Sequence, residues 1–165
     1  MPEAAKTALE LVKKHKIALF IHNGTKYVRI KKSDALTLSM NPIEKEYDYI
    51  ADEESTTEVE GYKPSIDQNL VMYKGSDDYE MMWPYFYERR TGAAAHVKCM
   101  IVYMHEPGTD GGYKAWETDS VISVQDLAAV DKKLDFKVLF GGGITNGTAT
   151  MTDGTPTFTA EIKKG

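Results

Sequence analysis

The sequence predicts a mainly β domain, an antiparallel β-sandwich or barrel with one flanking helix. Three observations indicate this fold: apolar and polar residues alternate in several short segments, turn-forming residues separate those segments, and one segment follows the helical period instead. Hydrophobic residues make up 42% of the 165 residues and charged residues 27%, which is ordinary for a globular protein. We therefore expect residues 1–165 to form a single domain.

The first strands are expected near the N-terminal end of the chain. Apolar residues alternate over 17–21, the pair Asn23-Gly24 follows, and the alternation resumes over 28–30, which predicts a hairpin closed by a type I′ turn. A third strand is expected at 36–40. Ahead of these strands, residues 4–14 place apolar side chains on one helical face, so we expect a second helix there.

The main helix is expected over residues 76–90, where apolar side chains recur at i, i+3, i+4 and i+7. Ser76 suits the N-cap position, and Gly92 suits the residue that ends a helix. Pro84 removes one backbone hydrogen bond, so we expect a kink or two short segments. The stripe predicted to face the core consists of Tyr79, Met82, Trp83 and Phe86.

The second half of the chain predicts most of the remaining sheet. Residues 97–104 are apolar on both faces, so their strand should be central and covered on both sides. Turns are expected at Asn146-Gly147 and Asp153-Gly154, and the glycines at 141–143 should break a strand. Further strands are expected at 121–127, 134–140, 148–151 and 157–162.

An acidic segment interrupts this pattern between residues 44 and 60. It contains eight carboxylates and Lys45 as its only base, and so many charges cannot be buried without partners. Aromatic and aliphatic residues are interspersed among the acids, which a purely solvating linker would lack. We therefore predict that residues 41–70 form an extended arm that contacts another subunit. The expected contact residues are Tyr49, Asp52, Glu53, Glu54, Glu58, Tyr62, Pro64 and Ile66.

Patterns that would support catalysis or a bound metal are weak. Cys99 is the only cysteine and has apolar neighbours, so we interpret it as a small core residue. The four histidines lack metal-ligand spacing, the glycines at 141–143 lack the residues of a phosphate loop, and the acids at 52–54 lack the spacing of a calcium loop. The sequence predicts no enzyme activity, no metal site and no cofactor.

Charge and hydropathy limit the expected partners. The net charge of −5 argues against specific binding to nucleic-acid phosphates, which requires a clustered positive surface. No segment approaches the ~20 apolar residues of a membrane span, and the N-terminal pattern is not that of a signal peptide. A ligand site stays open as an alternative to helix packing, because the side chains of Trp83, Tyr85, Phe86 and Tyr87 also suit a stacking platform for sugars or bases.

Several segments resemble the major tail tube protein of long-tailed, non-contractile bacteriophages. They are YIADE at the end of a strand, TTEVEGYKPSI, DDYEMMWPYFYERRTG, AAAHVKCMIVYM and VLFGGGITNGTATMTDGTPTFTA, and the resemblance extends over about residues 41–160. The resemblance implies a structural subunit that assembles with itself into stacked rings, typically hexameric, and so into a hollow conduit for DNA. It also implies tape-measure, tail tip and tail terminator proteins as partners, a location in the virion tail, and assembly in the cytoplasm of a bacterial host.

A tube subunit would expose part of its sheet to the lumen. A basic wall would retain DNA phosphates, so we expect a negative or neutral lining that DNA passes without specific binding. Polar positions on strands whose other face is apolar are the predicted lining: Asp119, Ser120, Ser123, Gln125 and Asp135.

Two alternative functions stay open. One is a tube subunit of a contractile tail or a secretion-like system, which would share the same architecture. The other is a monomeric β-sandwich binding module that uses the aromatic helix region or the acidic segment as its site.

Overall fold

The computed structural model describes residues 9–33, 36–51 and 53–160. Within these ranges the chain forms eleven strands and one α-helix, and every strand pairing is antiparallel. The predicted mainly β fold with one helix is confirmed. The strands are β1 (Ile17–His22), β2 (Tyr27–Arg29), β3 (Leu36–Ser39), β4 (Pro42–Tyr47), β5 (Thr56–Tyr62), β6 (Ser65–Val71), β7 (His96–Pro107), β8 (Tyr113–Ala128), β9 (Lys133–Phe140), β10 (Thr145–Thr152) and β11 (Thr155–Ala160), and the helix is α1 (Asp77–Tyr87).

Nine of the described strands form one sheet. Seven lie in the order β2-β1-β7-β8-β9-β6-β3, and β10 and β11 extend the sheet from β8. The 16-residue strand β8 is shared, because residues 113–117 pair with β10 and residues 120–128 pair with β9. The other two described strands, β4 and β5, pair only with each other.

Two apolar cores lie on opposite faces of β1 and β7. The larger core contains Leu19 and Ile101 and is covered by α1, β6 and β9, whereas the smaller core contains Phe20 and Met100. Successive residues of a strand point to opposite faces, so both strands are buried on both sides, as predicted for 97–104. The hairpin of β10 and β11 packs Phe158 against the smaller core, and β11 reaches β2.

The helix faces the sheet with a stripe that differs in part from the one predicted: Tyr79 and Phe86 are partly buried and pack against the larger core, as expected. Its buried residues are Asp78, Met82 and Tyr85, whereas Trp83 is only partly buried and lies outside the core cluster. The prediction was therefore right at Met82 and wrong at Trp83. The buried Asp78 carboxylate belongs to the observed stripe, and its Oδ2 accepts hydrogen bonds from the backbone N–H groups of residues 31 and 32, both at 3.0 Å.

The helix start and interior also differ from expectation. α1 continues through Pro84 as one segment, so of the two predicted alternatives, a kink or two short segments, the second is wrong. Ser76 occupies the N-cap position without capping the backbone, since its hydroxyl donates to the Asp78 carboxylate instead.

The helix ends at Tyr87, before the predicted Gly92. Arg89 adopts the left-handed conformation at φ 50°, a position where glycine is usual. The backbone N–H of residue 89 donates to the Phe86 carbonyl at 3.2 Å, and that of Arg90 donates to the carbonyl of residue 85 at 3.3 Å. These bonds form a Schellman motif, which satisfies the last carbonyls of the helix without glycine.

The predicted turn at Asp153-Gly154 is confirmed, and the one at Asn23-Gly24 is different. Asp153 and Gly154 have φ 50° and 78° and join β10 to β11 directly, as a type I′ turn requires. The loop after β1 instead spans residues 23–26. Asn23 does not take a positive φ; its Oδ1 accepts the N–H groups of residues 25 and 26, both at 2.9 Å, and this closes a longer loop.

The predicted turn at Asn146-Gly147 is wrong, because both residues lie inside β10. Gly147 is paired with Ala115 on one side and Ala160 on the other. A Cβ at this position would lie 2.5 Å from Phe158 Cζ and would also clash with the backbone of Thr159. Glycine is needed here for close approach between strands.

The predicted arm at 41–70 is shorter than expected. Only β4, β5 and the loop between them leave the main sheet, whereas residues 65–71 form β6 between β3 and β9. Ile66 and Leu70 belong to the larger core, at 1% and 0% exposed. Outward residues of β6, such as Asp67, are polar. Because they continue the acidic stretch before them, the sequence pattern did not distinguish this strand from the predicted arm.

Two predicted elements lie partly outside the described residues. The helix expected at 4–14 can be compared only from residue 9 onward, where 9–13 have no regular structure and a short 3₁₀ turn covers Lys14–Lys16. The last strand, expected at 157–162, is described to residue 160.

Candidate interaction surfaces

Residues 42–62, which we call the acidic hairpin, consist of β4, β5 and the loop 48–55. Most of its described residues are exposed, and only Tyr47 and Gly61 are half-buried. Six residues of strand span ~20 Å at ~3.3 Å per residue. An isolated two-stranded hairpin is at best marginally stable in water. A hairpin of this length, exposed on both faces, is therefore suited to being covered by another protein surface.

Side-chain contacts hold the outer end of the acidic hairpin together. The rings of Tyr47 and Tyr49 stack with centroids 5.7 Å apart and planes inclined by 2°, and Lys45 Nζ lies 5.2 Å from the Tyr47 ring centre. The Tyr47 hydroxyl donates a hydrogen bond to the Glu60 carboxylate, which raises the pKa of Tyr47. Such contacts reduce the entropy lost when a partner binds the tip.

The structure divides the predicted arm residues into an exposed and a buried group. Tyr49 and Tyr62 are 53% and 55% exposed, and the described acids of the set are exposed as well: Glu53, Glu54 and Glu58. Asp52 lies outside the described residues.

The other two predicted contacts, Pro64 and Ile66, are wrong for a subunit interface. Both are buried within their own domain: Pro64 immediately precedes β6, and Ile66 lies within it. They are therefore inaccessible to a neighbouring subunit while the sheet is intact. The prediction also missed Ile50, which is fully exposed at the tip of the acidic hairpin. A lone aliphatic residue in an acidic loop is the sequence feature that would have found it.

Most of the predicted lumen residues share one open face of the main sheet. Asp119 and Ser123 on β8 and Asp135 on β9 alternate with residues of the larger core, so they point away from it. Gln125 is exposed at the irregularity in β8 and donates to Ser123 Oγ at 2.9 Å. Ser120 is wrong for this set, because it is fully buried on the core side.

A hydrogen bond explains the burial of Ser120. The Ser120 hydroxyl donates to the Val97 carbonyl at 2.9 Å, which makes a polar residue acceptable in the interior.

The open face of the sheet has mixed charge. Lys98 is the register partner of Asp119, and Lys137 Nζ lies 3.9 Å from a carboxylate oxygen of Asp67. Asp126 also lies opposite Asp135 in register, so acids accompany the lysines on this face.

Aromatic side chains form a second, half-exposed cluster on α1. The Trp83 ring lies 5.4 Å from that of Phe86 and 5.6 Å from that of Tyr87, with the Tyr87 plane inclined by 22°. Tyr85, which the sequence placed in the same platform, is buried on the core side, and Arg90 covers its ring at 4.6 Å. The four predicted platform residues therefore do not form one surface.

The cysteine considered for chemistry has a structural role. Cys99 is buried in the larger core, as predicted, and burial raises the pKa of its thiol to about 11. Among the described residues, no three histidine, cysteine or acidic side chains are grouped as a metal ion would require. In the same part of the chain, no helix has the length and hydropathy needed to cross a membrane.

Comparison with known proteins identifies the fold. No family model matches the chain, and no curated protein matches it in sequence. Among solved structures, a chain from the tail of an empty GTA particle, computed with helical refinement and C6 symmetry, has a TM-score of 0.56 at 11% identity. The match covers 81% of this chain and 96% of that chain. The protein therefore shares the fold of a tail component.

Two more distant structures are similar over most of their length. A chain of the anti-feeding prophage cap, which terminates the tube, has a TM-score of 0.48 at 13% identity, covering 88% of this chain and 99% of that one. A chain of the anti-feeding prophage baseplate has a TM-score of 0.41 at 11% identity, covering 79% and 89%. Both are too distant to add to the structural argument.

Proposed function

We propose that this protein is a structural subunit of a phage or prophage tail tube, of the non-contractile type, which assembles with itself as stacked rings into a conduit for DNA. The observation that carries the proposal is the acidic hairpin, which leaves a fold shared with a tail chain and is exposed on both faces. A small protein rarely keeps an exposed two-stranded element with apolar residues at its tip unless another surface covers it.

In the proposed assembly, the acidic hairpin makes the axial contact between rings. Tyr49 and Tyr62 are the expected anchors, because exposed aromatic residues that become buried supply much of the energy of an interface. The exposed acids Glu53, Glu54 and Glu58 form the rim. Rings of six subunits are our expectation from the family resemblance, and tape-measure, tip and terminator proteins are the expected further partners.

The open face of β8 and β9 is the proposed lumen lining. Asp119, Ser123, Gln125 and Asp135 contribute acidic and neutral groups there, and the acids next to Lys98 and Lys137 lower the attraction of these lysines for phosphates. DNA would then slide past without retention by counterion release. Such a subunit needs no active site, so we propose a non-enzymatic role in the virion tail, after assembly in the host cytoplasm.

The proposal is tested by electron microscopy and sedimentation of the purified protein over a range of concentrations. We expect rings or tubes that increase with concentration. The same measurement is repeated after addition of tail tip complexes from phage lysates, which could nucleate polymerisation. A protein that stays monomeric at every concentration, with and without these complexes, would reject the tube.

A β-sandwich binding module is the second candidate, favoured by the half-exposed ring cluster of Trp83, Phe86 and Tyr87. That module would remain monomeric and would show a ligand-dependent rise in melting temperature with an oligosaccharide panel. A contractile or secretion-like tube would be distinguished by a sheath around the tube in particles from the host.

A further inference from the structure

A basic cleft opens between the two edges of the large sheet. It has a volume of about 590 Å³ and lies between β1, the segment that follows β2, β3 and β6. Its lining combines four basic side chains with an apolar floor and two polar residues: Lys14, His15, Arg29 and Lys31; Ile17, Leu19, Ile30 and Leu36; Ser33 and Gln68. None of the described residues that line it is acidic.

A hydrogen bond from a side chain to the backbone holds part of the rim of the cleft in place. The Arg29 guanidinium donates to the His15 carbonyl at 2.9 Å, which joins the segment before β1 to β2. Lys14 and Lys31 are exposed, with their charges free to meet an incoming group. The uniform sign of this rim favours an acidic ligand.

The floor of the cleft contains a buried acceptor that makes no hydrogen bond within the described chain. Gln68 is 4% exposed; its amide nitrogen donates to Ser33 Oγ and to the backbone carbonyl of residue 69, whereas Oε1 accepts nothing. Oε1 is itself buried, so an incoming side chain would meet mainly the apolar lining of the cleft.

We propose that this cleft receives the tip of the acidic hairpin from a second copy of the chain. The tip has the complementary chemistry: Ile50 is fully exposed and suits the apolar floor, while Glu53 and Glu54 suit the basic rim. No described residue of the acidic hairpin lines the cleft of its own chain. The inference rests on the proposed tube, and it assigns the surface that the axial contact uses.

The position of the two surfaces suits a repeating stack. β3 begins at the cleft with Leu36 and ends at Ser39, three residues before the acidic hairpin starts at Pro42. The donor and the acceptor surfaces are different and lie toward opposite ends of the same strand. A contact between two different surfaces repeats in one direction and forms open stacks unless rotation closes it.

A charge exchange tests the contact. Lys14→Glu with Lys31→Glu reverses the rim, and Glu53→Lys with Glu54→Lys reverses the tip; all four side chains are exposed, so both variants should fold. We expect each variant to need at least tenfold more protein to form tubes than the wild type. The chain that carries all four substitutions should recover wild-type assembly, because its charges are complementary again. Lys26→Glu with Lys74→Glu, outside the cleft, is the matched control and should assemble normally.

A cross-link measures the same contact without tubes. Chains with Ile50→Cys and chains with Lys31→Cys are mixed and treated with a short bis-maleimide, and Cys99 is too buried to compete. We expect a cross-linked dimer in the mixture and its loss when the tip charges are reversed. Tubes without cross-link or charge rescue would overturn the docking site and leave the proposed function standing. A cross-link without tubes would support the docking site and reject the tube.

Discussion

Gly147 illustrates how the secondary structure of one residue can depend on its neighbours in space. The Asn-Gly pair is the usual sequence of a tight turn, yet here it lies within β10 because β11 passes too close for any side chain. Asp78 is a comparable case, since this acid in the first turn of α1 is buried against the backbone of residues 31 and 32. Neither partner is near in sequence, so local patterns could not reveal these roles.

Replacement of Gly147 by alanine should destabilise the fold by about 3 kcal/mol, the upper part of the range for overpacked sites. The new Cβ would meet the Phe158 ring and the backbone of β11. Thermal unfolding followed by circular dichroism measures the effect. Gly143→Ala is the matched control, because a Cβ there meets nothing within 4 Å and should leave the melting temperature unchanged. Equal behaviour of the two variants would contradict the close packing of β10 and β11.

At the scale of elements, the strands and the helix followed from the sequence wherever periodicity was clear. The central strand at 97–104 was predictable because both of its faces are apolar. β6 was not, because its polar outward residues continue the acidic stretch before it. The basic cleft could not be predicted either, since its lining comes from four separate segments that only the sheet order brings together.

The orientation of α1 predicts that alanine substitutions at two neighbouring residues reduce the stability of the protein by different amounts. Met82→Ala should destabilise the protein by about 2–5 kcal/mol, because Met82 is fully buried in the larger core. Trp83→Ala should cost less than about 1.5 kcal/mol, since its ring packs mainly on other half-exposed rings. Chemical denaturation of both variants measures the difference. A larger loss for Trp83→Ala would mean that the helix turns its other face to the sheet.

Removal of the acidic hairpin should separate folding from assembly. The Lys63 N–H donates to the Asn41 carbonyl at 3.2 Å, so the two ends are adjacent and a Gly-Gly link can replace residues 43–61. We expect a folded monomer with a melting temperature within a few degrees of the wild type, because both cores are intact.

This shortened variant should form no tubes at any concentration accessible to the wild type. A control chain with Ile43→Thr and Val59→Thr keeps the hairpin's length and charge and should still assemble. Long tubes from the shortened variant would show that the axial contact lies elsewhere.

At the scale of the whole molecule, net charge predicts weak interaction with DNA. With a charge of −5 and acids beside the lysines of the open sheet face, neither the subunit nor the tube should shift double-stranded DNA in a gel at low ionic strength. The basic cleft is the surface most able to bind phosphates, so Lys14→Glu with Lys31→Glu is the informative comparison. Tight, salt-sensitive binding by the wild type would argue against an inert conduit.

The acidic hairpin is expected to join subunits of successive rings. A helical reconstruction of the assembled protein by cryo-electron microscopy would locate residues 42–62 relative to the next ring. Our account predicts a hollow tube in which the tip at Ile50 is buried between the Lys14 and Lys31 side chains of a subunit in the adjacent ring. A tube with this hairpin exposed to solvent, or a protein that stays monomeric throughout, would contradict it.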